Sequence, residues 1–509
     1  MRTLIAVVLA IPIGAVPLVK VTGGEVRGAA LEPGGAVFKG IPFAAPPVRW
    51  KEPAAIVPWQ GVRDATAFGA PCVQNASGRM LEGSSENCLF LNVWTPEWPP
   101  KSPKPVMFWI HGGGNYAGSS SNAIFNGESL ARRGVIVVSA NYRLTIFGFL
   151  AHPELTRESS HHASGNYGLM DQIAALRWVR ENIARFGGDP ANVTVFGQSA
   201  GAVDANVLMT SPLAKGLFQR VIAESGTVTR NPDAATLAMT ALGPLMPVKA
   251  GTVTYSDAPL LAEAESNGAK LGSLRQLREQ SAADLLKIAA APQMSIGPAN
   301  GIVVDGWVLP NPPAQVFATG KEHPIALLIG NNARERTPPA GDDVPSAMQA
   351  MYGPLASRAA STYTESDPLY GAPATQWVVD TMYRCPVVAQ LVWHAAAGNI
   401  GYEYQFDRAA PGREAVGAVH GTEVPYVFGM LGPSYTDADR NISEALQQYW
   451  TNFAKTGDPN GGNLAKWPKF DAASRGYVEF TDHGPVTSEG LRRPFCDLYV
   501  ENVNRLLGH

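Results

Sequence analysis

Phe196-Gly197-Gln198-Ser199-Ala200-Gly201-Ala202 places one serine between two glycines at a point where the sequence pattern changes character. Just upstream, Val193-Thr194-Val195-Phe196 is β-branched and aromatic and is bounded by turn residues, which reads as a short buried strand. Downstream, Ala200 to Met209 reads as the start of a helix. A serine on so sharp a strand-to-helix turn stands out from the chain, with glycines where side chains would collide. In a chain with 52 glycines the pentapeptide alone is a weak signal. A second stretch strengthens it. Val106-Met107-Phe108-Trp109-Ile110 is a continuous apolar run leading straight into His111-Gly112-Gly113-Gly114. Such a run reads as a buried parallel strand, and the glycines after it let backbone N–H groups approach a ligand closely. One motif offers a nucleophile; the other offers donors for the negative charge its attack would create.

Outward from these motifs, strands and helices alternate. Val135–Ala140, Val221–Ala223, Ile325–Ile329 and Glu403–Phe406 read as further strands. Leu169, Ile173, Leu176, Val179 and Ile183 recur at spacings of three and four, which predicts a helix over Gly168–Phe186 stopped by Gly187-Gly188-Asp189-Pro190. Ile442, Leu446, Tyr449 and Phe453 predict another, closing at Lys455-Thr456-Gly457-Asp458-Pro459. Residues 17–59 alternate short strand-like runs with Gly/Pro turns, as an antiparallel edge leading into the main sheet would. The expectation is an α/β fold of the α/β-hydrolase kind, with a large, mostly parallel central sheet covered by helices on both faces.

The chain has 509 residues, with no Ser/Gly linker, charge run or repeat to divide it, so residues 16–509 are expected to form a single domain. Residues 231–292, richer in alanine and leucine, are read as an insertion that caps the site. Forty basic and 43 acidic residues nearly cancel, and no basic stripe is visible, which argues against a nucleic-acid partner. Met1-Arg2 followed by the apolar stretch Leu4–Val16 reads as a secretory signal peptide of residues 1–15, ending at Ala15 despite a poor fit of Ile13. The stretch is too short to span a bilayer, so no stable membrane association is expected. Export to a secreted or periplasmic location suits the four cysteines, which allow three pairings or four free thiols.

A serine hydroxyl needs a base to take its proton, and the base needs a carboxylate to hold its tautomer. After Ser199 the candidate bases are His323, His394, His420, His483 and His509. His420, in the small-residue loop Ala418-Val419-His420-Gly421-Thr422-Glu423 beyond a strand, is the best placed, whereas His394 falls in an apolar helical run. Glu335 follows the Ile325–Ile329 strand and is favoured as the acid, since α/β sites are built beyond strand ends. Its rival, Asp305 in Val303-Val304-Asp305-Gly306, looks more like a turn aspartate.

Several longer signatures are also present: Gly40-Ile41-Pro42-Phe43-Ala44, Ser85-Glu86-Asn87-Cys88-Leu89-Phe90-Leu91-Asn92-Val93, Asn141-Tyr142-Arg143-Leu144, residues 165–172 and Tyr426-Val427-Phe428-Gly429. With the two glycine motifs they make the chain resemble the type-B carboxylesterases, the cholinesterase-like branch of the α/β-hydrolases, over nearly its whole length after the signal segment. The resemblance implies a serine carboxylesterase acting on small-molecule esters through an acyl-enzyme. It implies Ser199, Glu335 and His420 as the triad, with Gly113, Gly114 and Ala200 as oxyanion donors. It also implies Cys72–Cys88 and Cys385–Cys496 disulfides, and Arg49–Glu86 and Arg143–Asp171 as buried ion pairs near the site. This chemistry requires no metal and no organic cofactor.

Departures from the family pattern shape the expected specificity. Gln198 stands where glutamate is common, which removes a negative charge near the site. Arg334 and Arg336 flank Glu335, where the family usually has glycine after the acid. The segment between Cys72 and Cys88 has no tryptophan to hold choline by cation–π attraction, and Gly297-Pro298-Ala299-Asn300 lacks aromatics that would narrow an acyl pocket. A cholinesterase activity is therefore disfavoured and a roomier acyl side expected. The alternatives are a lipase of the same family, disfavoured by the mostly polar Cys72–Cys88 loop, an amidase of the same family, and a non-catalytic binding module of cholinesterase-like fold.

Overall fold

The computed structural model describes residues 16–229, 259–289, 301–338 and 344–508. The expected signal segment 1–15, residues 231–258 and 290–292 of the expected insertion, and the tetrapeptide 297–300 lie outside the described residues.

Among the described residues, eleven strands form one sheet: β1 (Ala29–Leu31), β2 (Gly35–Pro42), β3 (Phe90–Thr95), β4 (Lys104–Ile110), β5 (Ile136–Ala140), β6 (Gly188–Gln198), β7 (Arg220–Glu224), β8 (Ala326–Asn332), β9 (Gly401–Phe406), β10 (Gly476–Thr481) and β11 (Gly484–Glu489). Their spatial order is β11-β10-β9-β8-β7-β6-β4-β5-β3-β2-β1. The stretch from β10 to β5 is parallel throughout, and the strands beyond it on either side are antiparallel. The mostly parallel sheet expected from the alternating pattern is therefore present.

Both faces of the sheet are covered, as a parallel sheet requires. Phe108 on β4 and Val195 on β6 pack into one apolar cluster, while their neighbours Trp109 and Phe196 pack into the other. That split follows from the two-residue period of a strand. On the first face lies α1 (Tyr167–Asn182), where Leu169, Ile173, Leu176 and Val179 are buried, and α2 (Ala200–Leu208), which contributes Ala202 and Ala205. The same face carries α3 (Cys385–Ala396). On the second face lies α4 (Asp437–Thr456), which buries Ile442, Leu446, Trp450 and Phe453. Each such side chain stabilises the fold by roughly 1.5–3 kcal/mol when fully buried. A final helix, α5 (Arg493–Leu507), packs on α3.

Element limits differ from the sequence pattern where tertiary pairing extends or tightens them. The Val193–Phe196 strand becomes the longer β6, with a register shift against β4 between Gly188 and Val193. The helix expected over Gly168–Phe186 is α1 followed by a 3₁₀ turn, Ile183–Phe186, that Gly187 ends at φ 86°. The antiparallel N-terminal region splits: Leu18–Val21 and Gly24–Arg27 join Val62–Asp64 in a separate small sheet, and only β1 and β2 enter the large one. Residues 259–289 of the expected insertion form short helices that pack by Ala151 and Glu158; Gly268 approaches so closely that a Cβ would lie 1.9 Å from the Ala151 carbonyl oxygen.

Candidate active site

Five connections at the C-terminal ends of parallel strands converge on one cavity: those after β4, β6, β7, β8 and β9. Ser199 joins β6 to α2 with φ 57° and ψ −123°, a conformation that costs an L-residue about 1–3 kcal/mol and is held by its surroundings. Its N–H donates to the Glu224 carbonyl at 2.8 Å. Backbones crowd the turn. A Cβ at Gly201 would lie 2.0 Å from the Ile110 carbonyl oxygen, and one at Gly197 would lie 2.5 Å from the Gly201 oxygen. That crowding is why glycine flanks this serine.

Glu335 follows β8 and is fully buried as a side chain. One of its oxygens accepts from the Asn332 N–H at 2.8 Å, and the other lies 2.6 Å from His420 Nδ1. The backbones are joined too, with the His420 N–H donating to the Glu335 carbonyl at 3.0 Å and the Arg334 N–H to the Ala418 carbonyl at 2.9 Å. His420 Nε2 stands 2.8 Å from Ser199 Oγ. The structure thus brings together the three side chains expected from the sequence, in a serine–imidazole–carboxylate line.

The rivals have other partners. Asp305 accepts from the N–H groups of Trp307 at 3.0 Å and Leu309 at 2.9 Å, as a turn aspartate does. His394 is buried between the Glu322 carboxylate at 2.9 Å and the Ile325 carbonyl at 3.1 Å.

The glycine turn after β4 packs against the serine turn. Gly113 adopts φ 115°, and a Cβ there would lie 2.0 Å from the Ala117 carbonyl oxygen. Among the described residues the amides of Gly113 and Gly114 donate to no turn or loop carbonyl, and Ala200, as first residue of α2, has no acceptor within its helix. All three residues line the cavity with Ser199 and His420. The turn is braced from behind by a buried network absent from the sequence reading. Asn115 donates to Asp204 at 3.1 Å and receives the Tyr142 hydroxyl at 2.8 Å, while Gln172 donates to the other Asp204 oxygen. Burial pushes the Asp204 carboxyl up to about 7, against the hydrogen bonds from Asn115 and Gln172. Burial also lowers the His111 imidazole to about 4, so this ring, stacked on Tyr142, is neutral.

Glu423 lies behind Glu335, accepting from Asn332 Nδ2 and, at 3.4 Å, from Ser225 Oγ. Its burial, and then the charge of Glu335, raise its carboxyl above the usual range. Nothing in its surrounding Gly-Thr-Glu-Val pattern signals that position. Both expected disulfides are present, Cys72–Cys88 and Cys385–Cys496. Of the two expected buried ion pairs, Arg143–Asp171 is buried, with 2.7 Å contacts. Arg49–Glu86 is only partly buried, because Glu86 remains 31% exposed at the edge of the Cys72–Cys88 loop.

The cavity has a volume of about 380 Å³. Among the lining residues that the sequence did not place there are Tyr383, whose ring is 5.4 Å from that of His420, and Arg336, which donates from Nε to the Tyr383 hydroxyl at 2.9 Å. None of the described lining residues comes from 259–289.

The sequence matches the family model described as "Carboxylesterase family" over residues 15–499. It is 34% identical over 511 residues to fumonisin B1 esterase of Sphingopyxis macrogoltabida, covering 89% of this chain and 84% of that protein. It is 36% identical over 496 residues to para-nitrobenzyl esterase of Bacillus subtilis (strain 168), covering 89% and 92%. Carboxylesterase 1D of Mus musculus is 31% identical over 528 residues, covering 91% and 89%.

Proposed function

The chain belongs to the carboxylesterase family and is a carboxylic ester hydrolase, and from that premise we propose that it works through an acyl-enzyme on Ser199. The observation that carries this reading is the continuous line from Ser199 Oγ through the His420 ring to Glu335, at 2.8 and 2.6 Å.

In this reading His420 Nε2 takes the hydroxyl proton as Ser199 Oγ bonds to the ester carbonyl carbon. The carbonyl oxygen becomes an oxyanion held by the amides of Gly113, Gly114 and Ala200, each such donor supplying about 3–4 kcal/mol. Glu335 accepts from Nδ1–H, fixes the tautomer and stabilises the imidazolium. The tetrahedral adduct expels the alkoxide, which leaves as the alcohol with the proton from Nε2. Water then gives a proton to His420 and its oxygen to the acyl carbon, and the acid departs as Ser199 recovers its hydrogen.

A soluble-ester preference is favoured over interfacial lipase action. The Cys72–Cys88 loop carries only a two-residue hairpin, Asn75–Ala76 with Arg79–Met80, and exposes mostly polar groups rather than an apolar lid. We also place the enzyme outside the cytoplasm, secreted or periplasmic, since two disulfides persist best in an oxidising compartment. Among the described residues no helix is long and apolar enough to cross a membrane.

The test is hydrolysis of p-nitrophenyl esters from acetate to palmitate by wild type and Ser199→Ala. Activity on short and medium chains with a p-nitrophenol burst, abolished in the variant, is the expected result. Activity that rises only with insoluble long chains would point to a lipase, and a folded wild type inert on every ester would point to a binding module.

A further inference from the structure

The arginines around the candidate site divide into two kinds. Arg334 directs its guanidinium to the backbone carbonyls of Leu369, Ala415 and Pro368. Arg384 and Arg492 share the Asp380 carboxylate, and their remaining donors go to Gln405, the Ala333 carbonyl and Gln376. These three are structural. Arg336 is different. It lines the same cavity as Ser199 and His420, and only its Nε has an acceptor among the described residues, the Tyr383 hydroxyl. No described carboxylate lies within ion-pair distance of it; the adjacent Glu335 is turned inward, with its oxygens on His420 Nδ1 and the Asn332 N–H.

The rest of the lining gives the cation no counter-charge. Among the described lining residues there is no aspartate or glutamate, and Gln198 next to the serine is neutral. The Glu335 side chain is completely shielded from solvent, whereas Arg336 is partly exposed and lines the cavity. The Nε bond to Tyr383 limits how the guanidinium can turn. Tyr383 sits in the π-helical segment Asp380–Arg384, which leads directly into Cys385 and its disulfide. A guanidinium positioned in this way offers a fork that matches a carboxylate with two parallel hydrogen bonds.

Building on the ester-hydrolase reading of this cavity, we propose that Arg336 receives a carboxylate carried by the substrate. The preferred substrates are therefore anionic esters: half-esters of dicarboxylic acids, or esters whose alcohol bears a carboxylate. Arg336 is a specificity residue and takes no part in proton transfer.

Two matched pairs test this. The first is p-nitrophenyl hydrogen adipate against its neutral primary-amide counterpart. The second is the acetate ester of 4-hydroxybenzoate against that of 4-hydroxybenzamide. Wild type is expected to favour the carboxylate member of one pair by about tenfold or more in kcat/KM, chiefly through KM, and the pair that shows it reveals which half of the ester faces Arg336. The preference should shrink with added salt, disappear in Arg336→Gln and survive in part in Arg336→Lys. Equal or inverted selectivity of wild type in both pairs would overturn the proposal, as would a preference that persists in folded Arg336→Gln. If the glutamine variant does not fold, the lysine variant and the salt series decide. Absence of hydrolysis of all four compounds would instead overturn the ester-hydrolase reading beneath it.

Discussion

Gln198 Nε2 lies 3.3 Å from His420 Nε2, the same ring nitrogen that faces Ser199 Oγ at 2.8 Å. The proposed base therefore has a neutral amide beside it rather than a carboxylate. Gln198→Glu would introduce a negative charge within direct reach of the imidazole and favour the protonated ring. Since attack requires the unprotonated ring, the acidic limb of the kcat/KM profile should move to higher pH by about one unit. The same substitution should weaken any preference for carboxylate-bearing esters. A pH–rate profile on p-nitrophenyl acetate checks the first effect, and a limb that does not move would contradict it.

Glu335→Gln makes a sharper prediction because it keeps shape while changing tautomer. The Asn332 N–H would still meet an oxygen, but the new amide N–H₂ would face His420 Nδ1. The ring would then carry its proton on Nε2 and could no longer accept from Ser199. A fall in kcat of about 10⁴ with little change in KM is expected, leaving the contribution of the oxyanion donors. Steady-state kinetics with a melting-temperature control measures it. A loss below tenfold would remove Glu335 from the triad.

The serine turn and the glycine turn were legible because each depends on local backbone crowding, which only glycine at Gly197, Gly201 and Gly113 relieves. Glu335 and His420 were legible from position after strands, and the structure separates them from Asp305 and His394 through those residues' own hydrogen bonds. The direction of Arg336 was not legible. It depends on Tyr383, supplied 47 positions later in number by a different element. Likewise nothing local marks Asn115, Gln172 and Asp204 as one network, because each comes from a separate segment and they meet only in the folded core.

The two disulfides should differ in what they contribute. Cys72–Cys88 closes a sequence separation of 16, whereas Cys385–Cys496 closes 111 and ties α5 to the start of α3. On the chain-entropy account the shorter loop stabilises by about 3 kcal/mol and the longer by about 4–5 kcal/mol. Paired serine substitutions should therefore cost more at 385/496 than at 72/88. Urea unfolding of both double variants checks the order, and equal losses would contradict this account.

Asp204 gives a pH-dependent prediction with a definite sign. Its carboxyl titrates near 7 in the fold against 3.8 when unfolded, because burial disfavours the charge. Between those values the native state binds a proton that the unfolded chain has lost. Stability from this group is therefore full below about pH 4, falls as pH rises toward 7, and stays at its lower level above. Asp204→Asn removes the titration while keeping the shape. Gln172 Oε1 is buried without a partner, so rotation of the Gln172 amide supplies an acceptor for the new N–H₂. The variant should match wild type near pH 4 and exceed it by ~2–4 kcal/mol at pH 8, as read from denaturant unfolding at the two pH values. Other buried carboxyls, Glu403 among them, titrate upward in the same region and leave a residual slope in the variant, so the quantity to compare is the difference between the two proteins. A difference that does not grow from pH 4 to pH 8 would mean that Asp204 is already charged in the native core at acid pH, with Asn115 and Gln172 outweighing its burial.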